Sequence, residues 1–188
     1  MIAYSYQLLN GHYVVNINGL KYLLDTGVDN SFHISKNNIV NINNKDYHLS
    51  EKPSYLDLKP TFDLIGEEVD GFIGLDILKE TSLTIYKNGI IVFDVVENVE
   101  GEMINLNTYG YLSFDTSCNG IKGKYIIDLG AKYGYGINEL FVNKNPYDHV
   151  NDYNPGLKFL DSDIYQLDFL LGIRKYQLAF AKMKELIH

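Results

Sequence analysis

The chain has 188 residues and a formal net charge of −8, with 46% hydrophobic and 21% charged residues, 16 Tyr and 9 Phe. That is the composition of a folded chain, long enough for one ordinary domain or two small lobes, and it excludes a disordered one. The 16 Lys and Arg are scattered along the sequence, which argues against nucleic acid or an anionic membrane as a partner, and no apolar run approaches the ~20 residues of a spanning helix.

Period-2 patterning dominates and predicts a mostly β protein. His12–Ile17, the pair Asn18-Gly19 and Leu20–Leu24 read as a hairpin, because Asn-Gly supplies the positive φ angles of a two-residue turn. The strand runs into Asp25-Thr26-Gly27. Further on, Phe72-Ile73-Gly74 is an apolar pair ending in glycine, followed by one or two helical turns over Asp76–Glu80, with Asp76 read as a helix cap. Ser82–Tyr86, Lys87-Asn88-Gly89 and Ile90–Phe93 form another hairpin. Val95–Asn105, with Glu97, Glu100 and Glu102, is a polar break and the candidate linker. It divides the chain into 1–96 and 104–188. In the second half, Tyr111–Asp115, the turn Asn119-Gly120 and Tyr125–Ile127 read as a hairpin ending in Asp128-Leu129-Gly130. Asn145–Gly156 reads as an irregular loop, Leu170-Leu171-Gly172 is a second apolar pair with glycine, and Phe180–Ile187 is either a strand or a strand running into a helix.

The most informative feature is a repeat. Lys21-Tyr22-Leu23-Leu24-Asp25-Thr26-Gly27 is echoed by Lys124-Tyr125-Ile126-Ile127-Asp128-Leu129-Gly130, and Asn18-Gly19-Leu20-Lys21 by Asn119-Gly120-Ile121-Lys122. Each copy sets an aspartate at the end of an apolar strand, so two lobes with a shared carboxylate site are expected. A lone Asp-Thr-Gly carries little weight, since Asp and Gly are ordinary turn residues. The recurrence, the apolar strand before it and the apolar-apolar-Gly stretch in each half are what single it out.

On those residues the chain resembles the retropepsin-like branch of the aspartic peptidases, in its bilobal single-chain bacterial form. Asp25-Thr26-Gly27 with Asp70-Gly71-Phe72-Ile73-Gly74-Leu75-Asp76-Ile77-Leu78 carries the resemblance over about Tyr13 to Phe93. Ile126–Ala131 and Phe169–Gly172 carry it in part over the second half, where Ile173-Arg174-Lys175 replaces the helix start. The resemblance implies an all-β, bilobal acid-protease fold with pseudo-twofold duplicated lobes, in which the apolar-Gly stretch threads beneath the Asp loop. It implies Asp25 and Asp128 as catalytic residues, Thr26, Gly27, Leu129 and Gly130 as supporting ones, and a substrate flap. Tyr47–Leu49, a tip with Pro53 and Ser54, and Tyr55–Leu58 fit that flap as strand, tip and strand. In the family the Thr26 hydroxyl bonds across the pseudo-twofold axis. Leu129 cannot reciprocate, and one half of the clasp is therefore absent.

The chemistry of such a pair follows from electrostatics alone. Two carboxyl groups ~3 Å apart cannot both ionise cheaply, so they hold one proton in common and present an acid and a base together. A water between them can attack a peptide carbonyl with neither a nucleophilic side chain nor a metal. The expected activity is that of an aspartic endopeptidase acting on extended peptide or protein substrates, as a monomer and without a cofactor. The rival expectation is a catalytically impaired pseudoprotease that binds peptide or serves as a scaffold.

Other constellations fail. His12, His33, His48, His149 and His188 lack ligand spacing, so no metal is expected. The sole cysteine, Cys118, reads as a half-buried small side chain. Met1–Asn10 shows no basic start or apolar core of a leader, which makes the cytoplasm the default compartment and export the expectation only if a leader has been removed.

Overall fold

The structure, a computed structural model, describes residues 2–94, 101, 103–154 and 158–182, with the side chains of 154 and 158–160 excepted. Of the expected linker, residues 95–100 and 102 lie outside the described residues, as do Pro155-Gly156 of the expected loop and residues 183–187 of the C-terminal segment. The described residues are mostly strand. They fall into two compact units. The first comprises the described parts of Met1–Glu100 with Thr108–Leu112 and Ile127–Lys132, and the second Gly101–Asn107, Ser113–Ile126 and the described part of Tyr133–His188.

The first unit holds strands β1 (Ala3–Leu9), β2 (His12–Ile17), β3 (Leu20–Leu24), β4 (Phe32–His33), β5 (Ile39–Ile42), β6 (Lys45–His48) and β7 (Ser50–Glu51). Helix α1 (Lys59–Ile65), β8 (Gly71–Ile73), helix α2 (Leu75–Leu78), β9 (Leu83–Tyr86) and β10 (Ile90–Phe93) follow. Eight of the strands form one sheet in the order β7-β4-β8-β3-β2-β1-β10-β9, and β5 pairs with β6 apart from it. The expected hairpins β2–β3 and β9–β10 are present in antiparallel register.

The runs Tyr22-Leu23-Leu24 and Gly71-Phe72-Ile73 lack polar alternation because both faces of their sheet are covered. On one face Val15, Ile17, Tyr22, Leu24, Ile73, Ile91 and Phe93 meet Val40 and Ile42 of β5 and Ile77 and Leu78 of α2. On the other, Val14, Leu23 and Phe72 meet Phe32, Leu58, Val69 and Ile65 of α1. Successive side chains of a strand point to opposite faces, and this sorts one apolar run into two cores.

One pairing departs from the antiparallel pattern. β8 runs parallel to β3, Leu23 opposite Phe72 and Leu24 opposite Ile73, and antiparallel to β4 on its other side. It therefore lies between the two strands joined by the loop 25–31. Gly71 and Gly74 permit this close passage: a Cβ on either would come 2.6 Å from a backbone oxygen, of Phe32 and Val28 respectively.

The second unit holds β11 (Ser113–Cys118), β12 (Ile121–Ile126), β13 (Gly134–Gly136), a 3₁₀ turn (Asn138–Phe141), β14 (Asp148–Asn154), β15 (Lys158–Leu171) and β16 (Arg174–Lys182). The sheet order is β12-β11-β15-β16-β13, with β14 pairing β15. Hairpin β11–β12 turns at Asn119-Gly120, as expected, both with positive φ, 50° and 81°. Two expectations are corrected here. Within the expected irregular loop Asp148–Asn154 is a strand, because β14 pairs along β15 from Asp148 opposite Ile164 onward. Leu170-Leu171-Gly172 does not repeat the setting of Phe72-Ile73-Gly74: Leu170 and Leu171 pair with Lys175 and Arg174, and Gly172, at φ +60°, belongs to the β15–β16 turn.

Candidate active site

Asp25 follows the last residue of β3 and is fixed by its own backbone. Its amide donates to the Ile73 carbonyl at 3.0 Å, which ties the start of the loop to β8. The chain then turns back, so that the Gly27 amide donates to Asp25 Oδ1 at 2.8 Å and the Val28 amide to the Asp25 carbonyl at 3.3 Å. The second copy folds alike. The Gly130 amide donates to Asp128 Oδ1 at 2.9 Å and the Ala131 amide to the Asp128 carbonyl at 3.4 Å. Equal local sequence has given equal loops, each offering a backbone N–H to its own carboxylate.

The side-chain carboxyls of Asp25 and Asp128 are neighbours, each close enough to feel the other's charge. Their common position is visible from Gly27. A Cβ there would lie 3.0 Å from Asp25 Oδ1 and 2.9 Å from Asp128 Oδ2. A Cβ on Gly130 would collide with the Asp25 carboxyl. Both glycines are thus required by space.

The two acids differ in setting. Asp25 is partly buried and Asp128 exposed. Burial, and then the Asp128 charge, pushes the Asp25 carboxyl up to about 7, against the pull of the Gly27 and Val28 amides. Thr26, 2% exposed, anchors the second loop to the first. Its Oγ1 donates to the Ile127 carbonyl at 2.6 Å and accepts the Leu129 amide at 2.9 Å. Leu129, lacking a hydroxyl, instead packs against the core that includes Val15, Tyr22 and Ile77.

Neither a protein-family model nor a curated protein matches the chain.

The flap expectation is corrected. Pro53, Ser54 and Tyr55 do not belong to a strand-tip-strand hairpin, because residues 52–58 form no strand and the chain passes from β7 to α1. Residues 53–56 close a turn in which the Leu56 amide donates to Pro53 O at 3.0 Å, and Lys52 Nζ donates to Leu56 O at 2.6 Å. The chain enters α1 two residues later, with Pro60 in its first turn, where a missing N–H costs nothing. Tyr55 is left 82% exposed. The hairpin in this region is β5–β6.

Asp76 is also placed differently. The residue capping α2 is Gly74, and the Asp76 carboxylate faces Ser31, accepting its amide at 2.9 and 3.0 Å and its hydroxyl at 2.6 Å. The Ser31 hydroxyl in turn accepts the Gly74 amide at 2.8 Å. With Leu75 N to Val28 O at 2.8 Å, these bonds brace the loop that carries Asp25 from the α2 side. No local motif announced this pairing of residues 45 apart.

Cys118 is fully buried in the second unit, and burial, with Asp168 nearby, pushes its thiol up to about 11, which removes it as a nucleophile. Among the described residues no cluster of His, Cys, Asp or Glu could hold a metal ion, and no helix is long and apolar enough to cross a membrane.

Proposed function

We propose that the chain is an aspartic endopeptidase of the bilobal acid-protease type, with Asp25 and Asp128 as its dyad. The observation that carries the reading is the juxtaposition of these two carboxyl groups beside Gly27, each held by the glycine amide of its own loop. A carboxyl pair in this arrangement retains one proton over a pH range in which isolated carboxylates would have lost theirs.

The differing exposure of the pair assigns the roles. Asp25, the more enclosed, with its own proton affinity raised by that burial, is the acid. Asp128 is the base. Water held by both loses a proton to Asp128 as its oxygen attacks the peptide carbonyl carbon, and the Asp25 proton supports the oxygen that becomes negative. The tetrahedral species then collapses: the C–N bond breaks, its electron pair goes to nitrogen, and nitrogen takes the proton from Asp128. Thr26 keeps the two loops in register, and Gly27 and Gly130 leave room for the carboxylates. The substrate is an extended peptide bound through its main chain.

A second reading, peptide binding without turnover, draws on Leu129, which leaves the clasp one-sided. Digestion of a peptide library in ¹⁸O-labelled water at about pH 4 to 6, on the acid side of the raised Asp25 carboxyl, separates the two. The endopeptidase reading expects internal cleavage with ¹⁸O in each new carboxylate, lost in Asp128→Asn. Peptides that are retained by the protein yet stay intact would establish the second reading in its place.

A further inference from the structure

The Asp128 loop is fastened by more than the Thr26 clasp: the Ile127 amide donates to the Leu112 carbonyl at 2.8 Å, and a further tie lies on its far side. Asn10 and Gly11 form the turn between β1 and β2, with φ of 48° and 93°, the geometry that an Asn-Gly pair favours. The Asn10 carboxamide bridges outward from that turn. Its Nδ2 donates to the Leu64 carbonyl in α1 at 2.9 Å, and its Oδ1 accepts from Lys132 Nζ at 2.5 Å. The Lys132 stem lies along the turn so closely that a Cβ on Gly11 would come 2.8 Å from Lys132 Cγ.

Lys132 stands four residues beyond Asp128. Thr26 therefore holds residues 127 and 129, on either side of Asp128, while Asn10 holds residue 132, and Gly130 lies on the span between the two anchors. The Gly130 amide donates to Asp128 Oδ1, so restraint at residue 132 reaches the carboxylate through Gly130 beside that from Thr26.

We propose that Asn10 is a positioning residue for the aspartate pair: with Lys132 it forms a latch that holds the far side of the Asp128 loop and supplies restraint that a hydroxyl at residue 129 would otherwise provide. This rests on the dyad reading above. Asn10 and Lys132 are both exposed, and a hydrogen bond between exposed side chains adds little to global stability. Its effect is on geometry, and a geometric restraint is read in the coupling of the two carboxyls.

The test is a ¹³C NMR titration of the Asp25 and Asp128 side-chain carboxyls in the wild-type chain, Asn10→Gly, Lys132→Met and Lys132→Arg. Asn10→Gly keeps the positive φ, and Lys132→Met keeps the apolar stem over Gly11 while leaving Asn10 and its bond to Leu64 untouched. The latch predicts that both variants keep the wild-type melting temperature, and that the gap between the two apparent pKa values narrows by about one unit as the carboxyls move apart. Lys132→Arg should restore it. With a cleavable peptide, kcat should fall about tenfold or more at unchanged KM. Titrations in Asn10→Gly and Lys132→Met that superimpose on a widely split wild-type pair would overturn the latch and leave the dyad standing. Two independent, ordinary carboxylate titrations in the wild-type chain would overturn the dyad and the latch with it.

Discussion

Thr26 and Leu129 meet through one hydroxyl. Thr26 Oγ1 accepts the Leu129 amide at 2.9 Å while donating to the Ile127 carbonyl at 2.6 Å, so a single side chain satisfies a donor and an acceptor on either side of Asp128. Thr26→Val keeps the shape and removes both bonds. Each contributes about 1 kcal/mol, and a buried amide left unpaired adds to the loss, so roughly 2 to 3 kcal/mol is expected in urea denaturation. Turnover should fall further than stability, because the carboxyls lose their register. Thr26→Ser should retain most of both.

Asp25 makes stability depend on pH with an unusual sign. Its affinity for a proton is raised in the folded chain, to about 7, so the folded state binds more protons than the unfolded one between about pH 4 and 7. Stability is therefore highest below about pH 4 as far as this group is concerned, and it declines as pH rises through about 7. Asp25→Asn removes the titration. Chemical denaturation across this range should show a declining profile for the wild type and a flatter one for Asp25→Asn, with the variant the more stable at about pH 8.

Asp76 accepts the amide and hydroxyl of Ser31, which is fully buried, along with the Ile77 amide at 2.9 Å. Asp76→Ala leaves that amide and hydroxyl without their carboxylate. Charge-assisted bonds of this kind exceed neutral ones, and about 3 kcal/mol of destabilisation is expected, with Asp76→Asn recovering part of it. Thermal denaturation of the pair of variants checks both figures.

Gly130→Ala places a methyl group against the Asp25 carboxyl. The expected result is a folded chain, by far-ultraviolet circular dichroism, in which peptide cleavage is lost. Gly120→Ala is the control, since nothing lies within 4 Å of its Cβ position. Any effect there should come only from the strained φ of +81°.

The hairpins were legible because alternation and Asn-Gly turns act locally. Asn18-Gly19 and Asn119-Gly120 both adopt the positive φ that their composition demands. The repeat marked both aspartate loops for the same reason, one strand and one glycine turn in each. Helix α1 was not legible: Tyr55–Leu58 suited a strand, and only Pro60 marked the helix start, with Leu58 offering no side-chain cap. Strand β14 lies in Asn- and Asp-rich sequence, and pairing with β15 overrides that local preference. The Ser31–Asp76 bonds and the Asn10–Lys132 bridge join residues 45 and 122 apart, so nothing local could announce them. Leu129 shows the converse, a departure visible in sequence whose packing against the core of the first unit required the fold.

The measurement closest to the central claim is the pH profile of turnover on a fluorogenic peptide, run in parallel for the wild-type chain, Asp25→Asn and Asp128→Asn. The shared proton predicts cleavage on the acid side that disappears as pH rises through about 7, and none from either variant. Cleavage that persists in Asp25→Asn, or that rises above pH 7 in the wild type, would contradict it.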